Sequence, residues 1–147
     1  MSEKRDIELF LVDILLTIEK IKIFTKDFSD ANALLHDELH WDATIRQFEI
    51  MGEAFNNLLK EEKFTSCSPH YFRKIVNFRN VIAHAYFGIA QEEVWDIIQN
   101  KLDTLHGDVK IVIKSNFDIS EAIETEALKH PSLSEYFTNL KREYNAR

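Results

Sequence analysis

Residues 38–62 read ELHWDATIRQFEIMGEAFNNLLKEE. Apolar side chains fall at Trp41, Ile45, Phe48, Met51, Phe55, Leu58 and Leu59, the three-and-four spacing of one helical stripe with polar residues between. The stretch has no Pro and one Gly, Gly52, so the spacing predicts a single long helix from about Glu38 to Glu62. Upstream, residues 3–28 repeat the pattern with Ile7, Phe10, Leu11, Ile14, Leu15, Ile18, Ile21 and Phe28 on one face, Ser2 as the expected N-cap and Asp27–Asp30 as punctuation. A short helical turn around Ala31–Leu35 joins the two.

Downstream, Lys60–Lys63 reads as a solvated end and Ser68-Pro69 as a cap with Pro at the first helical position. A third helix is expected over about 69–83, carrying Phe72, Ile75, Val76, Phe78, Val81 and Ile82, with Gly88 at its exit. A fourth is expected over about 91–114, with Val94, Trp95, Ile98, Leu102, Leu105, Val109, Val112 and Ile113 inward and a kink at Gly107. After Ser115-Asn116 come two short helices, 120–129 and 132–144, broken at Pro131. The expected architecture is all-α: one domain over 1–147, an antiparallel four-helix up-and-down bundle (core about 3–114) with a helical C-terminal extension (115–147).

Composition agrees. A chain of 147 residues with 45% hydrophobic and 29% charged residues is neither disordered nor membrane-embedded. Three Gly and two Pro are too few for the turns of a sandwich or barrel. A lone cysteine, Cys67, forms no intramolecular disulfide or metal knuckle and, without a paired His, reads as a bystander. Glu3, Asp6, Glu8 and Asp13 interrupt the first helix, which is not a secretion signal, and no apolar run approaches the ~18 residues of a membrane span. A cytoplasmic protein is expected.

Net charge is −7, but it is unevenly spread. Between Lys63 and Gln91 there is no Asp or Glu, while Lys63, Arg73, Lys74 and Arg79 are positive; the other 118 residues hold 14 basic against 25 acidic side chains. Two explanations stand: a mostly buried helix where carboxylates would be costly, or local positive potential for a polyanion. The second makes His70, Arg73 and Lys74 candidates for contacting RNA.

Inside that stretch lies Arg79-Asn80-Val81-Ile82-Ala83-His84-Ala85-Tyr86. At ~100° per residue Asn80 and His84 share a helix face, whereas Arg79 and His84 lie ~140° apart and converge on one ligand only if the helix loosens or a second copy completes the site. Imidazole, guanidinium and amide together suit phosphodiester cleavage: His84 moves a proton, Arg79 meets charge on the phosphate oxygens, Asn80 orients, and no metal is required. An Arg and a His five apart is a weak pattern by itself, one that a surface cation and a dipole-held helix-terminal imidazole serve as well.

The wider sequence is more specific. FRNVIAHAYFGI (78–89), followed by VWDIIQNKLDTL (94–105) and preceded by IRQFEIMGEAFNNL (45–58), resembles the HepT branch of the HEPN superfamily over roughly Ile7–Leu105. That resemblance implies a helical-bundle homodimer and metal-independent cleavage of RNA to a 2′,3′-cyclic phosphate, with no cofactor. It also implies an ATP-using minimal nucleotidyltransferase antitoxin that silences the toxin by adenylylating the motif tyrosine. Carried over, Arg79 and His84 are the catalytic pair, Asn80 assists, and Tyr86 is the modification target, in a cleft expected to be free of carboxylates. The alternative within the superfamily is a non-catalytic protein that binds nucleotide or presents substrate to a nucleotidyltransferase. Where the family often has Pro-Trp ahead of the motif helix, this chain has Pro69-His70-Tyr71.

Two further clusters stand out. Arg46, Glu49 and Glu53 form one stripe of the second helix, either supporting Arg79 or a partner, or making an ion-pair strip. His36 and His40 lie four apart around Asp37 and Glu38, but the zinc-helix Glu is missing and no third ligand is apparent, so no metal is assigned.

Overall fold

The computed structural model describes residues 5–78, 81–82 and 90–145. Arg79, Asn80, His84, Tyr86, Gly88 and Ser2 lie outside the described residues. The described chain is the expected all-α bundle, built from α1 (Ile7–Thr25), α2 (Ala31–His36), α3 (Glu38–Leu58), α4 (Glu62–Thr65), α5 (Phe72–Asn77), α6 (Gln91–Asn100), α7 (Leu102–Asn116), α8 (Ser120–Ala127) and α9 (Ser134–Asn145). A 3₁₀ turn, Pro131–Leu133, leads into α9.

Aspartates start the first three helices. The Asp6, Asp30 and Asp37 carboxylates accept the amides of Leu9, Ala33 and His40 at 2.9, 2.8 and 3.1 Å, satisfying donors that the first turn leaves open. The cap of α1 is thus Asp6 rather than Ser2. α3 begins at Glu38 as expected but ends four residues early. Past Leu59, itself half-buried against the core, the chain has nothing apolar to bury until Phe64, and the amides of Lys60 and Glu61 turn back tightly onto Asn57 and Leu58. Phe64 then returns to the core on α4, a helical turn the sequence reading missed.

The expected Ser68 cap is also corrected. Its hydroxyl donates to the Phe64 carbonyl at 2.5 Å, closing the turn after α4, and residues 69–72 coil in tight turns so that regular helix starts only at Phe72. The fourth helix breaks at Lys101 (φ −125°), not at Gly107. Gly107 sits in regular helix with open space where a side chain would be, so nothing there demands a kink.

α1 is the centre of the bundle. Its middle is buried on every side, with Val12, Leu16 and Thr17 covered as well as the predicted stripe through Leu11, Ile14, Leu15, Ile18 and Ile21. Thr17 and Thr25 satisfy their buried hydroxyls on the carbonyls of Ile14 and Ile21. α3 packs along α1 most extensively, while α7 and α8 close its other sides. Ile119, Ile123, Phe137, Leu140 and Tyr144 of the extension join the same apolar cluster as α1 and α3.

Exposed ion pairs stitch the edges: Lys22 to Asp103 at 2.6 Å, and Lys110 and Lys114 to Glu143 at 3.0 and 3.6 Å. Each is worth at most about 1 kcal/mol, so the apolar cluster carries the stability.

Phe137→Ala is accordingly expected to destabilise the whole fold by roughly 3–5 kcal/mol in one cooperative denaturant transition. A biphasic transition, with the main phase unmoved, would show the extension to be a separate unit.

Candidate functional site

The segment leading into the Arg79–Tyr86 motif is held by aromatic packing. Phe72, fully buried at the start of α5, meets Phe55 of α3 edge-on with ring centroids 5.1 Å apart and stacks on Phe64 at 6.0 Å. Tyr71 packs edge-on against Phe72 and donates its hydroxyl to the Asp108 carboxylate on α7. Burial, then the Asp108 hydrogen bond, push the Tyr71 phenol well above its ordinary range, so it stays a donor.

From this anchor α5 turns Ile75 and Phe78 toward α1 and α3, and Phe78 meets Phe48 edge-on at 5.8 Å. The Ile82 amide reaches the Phe78 carbonyl at 3.0 Å, one helical hydrogen bond that carries the same face onward. Between these elements lies a groove of about 720 Å³. Its walls are apolar, formed by Phe10, Phe48, Ile75, Phe78 and Ile82; among the described residues its charged groups are Asp13, Arg46, Glu49 and Glu53.

The structure therefore brings together the flank of the motif and the Arg46, Glu49, Glu53 stripe. Arg46 donates to Glu49 at 3.1 Å, so the stripe is both an ion-pair strip and a groove wall. The cleft expected around Arg79 and His84 of two copies lies outside the described residues; this groove, at the flank of the motif, does carry carboxylates. The 63–91 stretch itself has no acids, but α1 and α3 bring Asp13, Glu49 and Glu53 against it.

Asp13 was not singled out by sequence. Arg5 grips it with two hydrogen bonds, Nε to Oδ2 at 3.1 Å and Nη2 to Oδ1 at 2.8 Å, and shares Nη2 with buried Glu126 of α8 at 2.8 Å. Burial pushes the Asp13 carboxyl up to about 6; Arg5 opposes the rise, and the Glu126 charge adds to it. Glu126 also suffers from burial, but hydrogen bonding and charge from Arg5, with Lys129, carry it below the usual range. One guanidinium serves two carboxylates, and Glu126 is the better served.

Of the candidate RNA contacts, His70, Arg73 and Lys74 are all exposed, and among the described residues none of the three makes an ion pair. At ~100° per residue, Lys74 flanks the groove-lining face of α5 while Arg73 lies on nearly the opposite side. His40 donates from Nδ1 to the capping Asp37 at 2.9 Å, and His36 from Nδ1 to the Asn32 carbonyl at 2.7 Å, leaving both engaged in helix ends. Among the described residues no three His, Cys, Asp or Glu side chains gather as metal ligands. No helix among them is long and apolar enough to cross a membrane.

Comparison with known proteins agrees with the motif. The family model described as "HepT-like: Ribonuclease HepT-like" matches residues 14–112. The chain is 36% identical over 112 residues to "Putative RNase MJ1380" of Methanocaldococcus jannaschii, covering 74% of this chain and 98% of that protein. A second protein of that organism, "Putative RNase MJ0127", is 35% identical over 112 residues, covering 76% and 90%. "Probable ribonuclease HepT" of Thermococcus cleftensis is 30% identical over 105 residues, covering 71% and 93%. No solved structure matches the chain significantly. The family match ends before α8 and α9 begin.

The Asp13 environment gives a pH test. Because folding raises this pKa from 3.8 to about 6, Asp13 binds its proton more tightly folded than unfolded, and its ionisation lowers stability as pH climbs through that window. Glu126, shifted the other way, is present in both proteins compared and largely drops out. Asp13→Asn should therefore gain on the wild type between about pH 4 and pH 7, by roughly 2 kcal/mol at ~1.4 kcal/mol per pKa unit, read from thermal or urea melts. An equal difference at both pH values would rule out the desolvated carboxyl.

Proposed function

This chain belongs to the HepT-like ribonuclease family, and from that premise we propose that it is a metal-independent endoribonuclease toxin, active as a homodimer in the cytoplasm and silenced by an ATP-using nucleotidyltransferase antitoxin. The observation that carries the reading is the Arg79-x4-His84-x-Tyr86 motif lying inside the matched segment 14–112.

The chemistry follows from the residue types. The ribose 2′-oxygen attacks the adjacent phosphorus, its proton passes to a base, and the P–O5′ bond breaks with a proton delivered to the leaving oxygen. The product is a 2′,3′-cyclic phosphate and a free 5′-hydroxyl. An imidazole can give or take a proton in the physiological range, which suits His84 to either proton transfer. Arg79 stabilises the charge that builds on the non-bridging oxygens, and Asn80 orients. Because Arg79 and His84 lie ~140° apart on a regular helix, two copies supply the converging set. Arg73, Lys74 and His70 supply exposed positive charge for the backbone.

Silencing acts on the same site. The Tyr86 oxygen attacks the α-phosphate of ATP, pyrophosphate leaves, and an AMP group stands two residues from His84. Its phosphate occupies the anion site and repels RNA.

Purified protein is expected to cleave single-stranded RNA in EDTA, with His84→Ala or Arg79→Ala lowering the rate at least ~100-fold while the dimer mass is unchanged. RNA binding without cleavage would favour the non-catalytic reading. Incubation with ATP and the cognate transferase should add AMP masses that Tyr86→Phe abolishes; an unmodified wild-type mass, or modification persisting in Tyr86→Phe, contradicts the silencing step.

A further inference from the structure

The groove between α1, α3 and α5 is poorly suited to phosphate. Three carboxylates, Asp13, Glu49 and Glu53, contribute to its lining against one guanidinium, Arg46, which already pairs with Glu49, so the described lining holds more acid than base and offers a phosphodiester no unshared cation. It is well suited to a flat aromatic ligand. Phe10 and Phe78, both half-buried, offer aromatic surface above buried Phe48, and about 720 Å³ is ample for one nucleobase. Its α5 wall ends at Phe78, next in sequence to Arg79, and Ile82 continues it inside the motif.

Resting on the ribonuclease reading, we propose that this groove receives one unpaired base of the RNA substrate, and that Glu49 selects a base presenting adjacent N–H donors, guanine above all. Glu49 Oε2 accepts from Arg46 at 3.1 Å and keeps a second lone pair, while Oε1 accepts no hydrogen bond among the described residues. A carboxylate with both oxygens available matches the side-by-side N1–H and N2–H₂ donors of guanine. Cytosine and adenine offer one amino group beside an acceptor nitrogen. Uracil offers one N–H between two carbonyls, which the carboxylate repels. The sugar–phosphate chain stays outside, on the Lys74 side of α5, where exposed positive charge replaces the acidic lining.

The test uses the full-length protein and short single-stranded RNAs identical except at one position beside the cleaved bond, carrying guanine, inosine, adenine, cytosine or uracil. Cleavage is followed under single turnover. Binding is measured by anisotropy on the same sequences with a 2′-deoxy sugar at the reacting position. Guanine is expected to exceed uracil by roughly tenfold or more, with inosine, which lacks the N2 amine, in between. Glu49→Gln should flatten that order, whereas Phe78→Leu should weaken all bases several-fold and keep the order.

Equal use of all bases by the wild type, or a guanine preference that survives Glu49→Gln, overturns the proposal. So does a change in dimer mass on light scattering for both variants with base preference intact, since the groove would then be filled by a second copy. Absence of cleavage with base-selective binding retained would sink the enzymatic reading and leave the pocket standing.

Discussion

The fold depends on one constraint: α1 is apolar around its whole circumference through its middle turns and must be covered on all sides. α3 covers one side. The opposite side, with Val12 and Leu16, needs α7 and the helices of the extension. Asp13 is the exception in the middle of this helix, a carboxylate where water is scarce. Arg5 and Glu126 follow from it, because a partly buried acid persists only with a cation at hand, and a cation drawn inward accepts a second acid readily. The extension is thus wired to the groove wall through one guanidinium.

Much of this was legible in the sequence, for a physical reason. Helical stripes are local patterns, and burying Trp41, Ile45, Phe48, Met51, Phe55 and Leu58 is what makes α3 a helix at all. The second face of α1 was not legible, since Val12 and Leu16 look like tolerated exposures until the tail is seen to lie against them. Boundaries failed where two signals compete. Ser2 and Asp6 are both good caps, and Gly107 resembles a kink although the helix breaks at Lys101, a turn residue with non-helical φ between α6 and α7.

The site divides in the same way. Arg79, Asn80, His84 and Tyr86 were singled out because a motif of this kind is contiguous; they lie outside the described residues, and their roles are part of the proposal. The Arg46, Glu49, Glu53 stripe was found because helix neighbours recur at three and four. Tyr71 with Asp108, and Arg5 with Glu126, were missed because they pair residues 37 and 121 positions apart, and no local spacing encodes such a contact. The acid-free run from Lys63 to Gln91 was read correctly as sequence, but electrostatic environment is a property of neighbours in space. α1 and α3 supply what α5 lacks.

These neighbouring acids constrain how a chain of net charge −7 can act on a polyanion. At ~0.1 M salt the Debye length is ~10 Å, so acids elsewhere on the surface are screened and the approach of RNA is governed by what lies within reach of the motif. The groove acids share a lining with Phe78 and Ile82, at the flank of the motif and in a partly dry setting, where screening is weakest. Such acids are either dried against protein or meet the parts of RNA that donate hydrogen bonds, its base edges and 2′-hydroxyls. Backbone oxygens are acceptors and are turned away, while base edges carry donors and are not. On the proposed base-pocket reading, cations for the backbone and carboxylates for the bases would divide one short stretch of surface between the two chemistries of the nucleotide, and it is this division, rather than overall charge, that would let an acidic protein hold RNA.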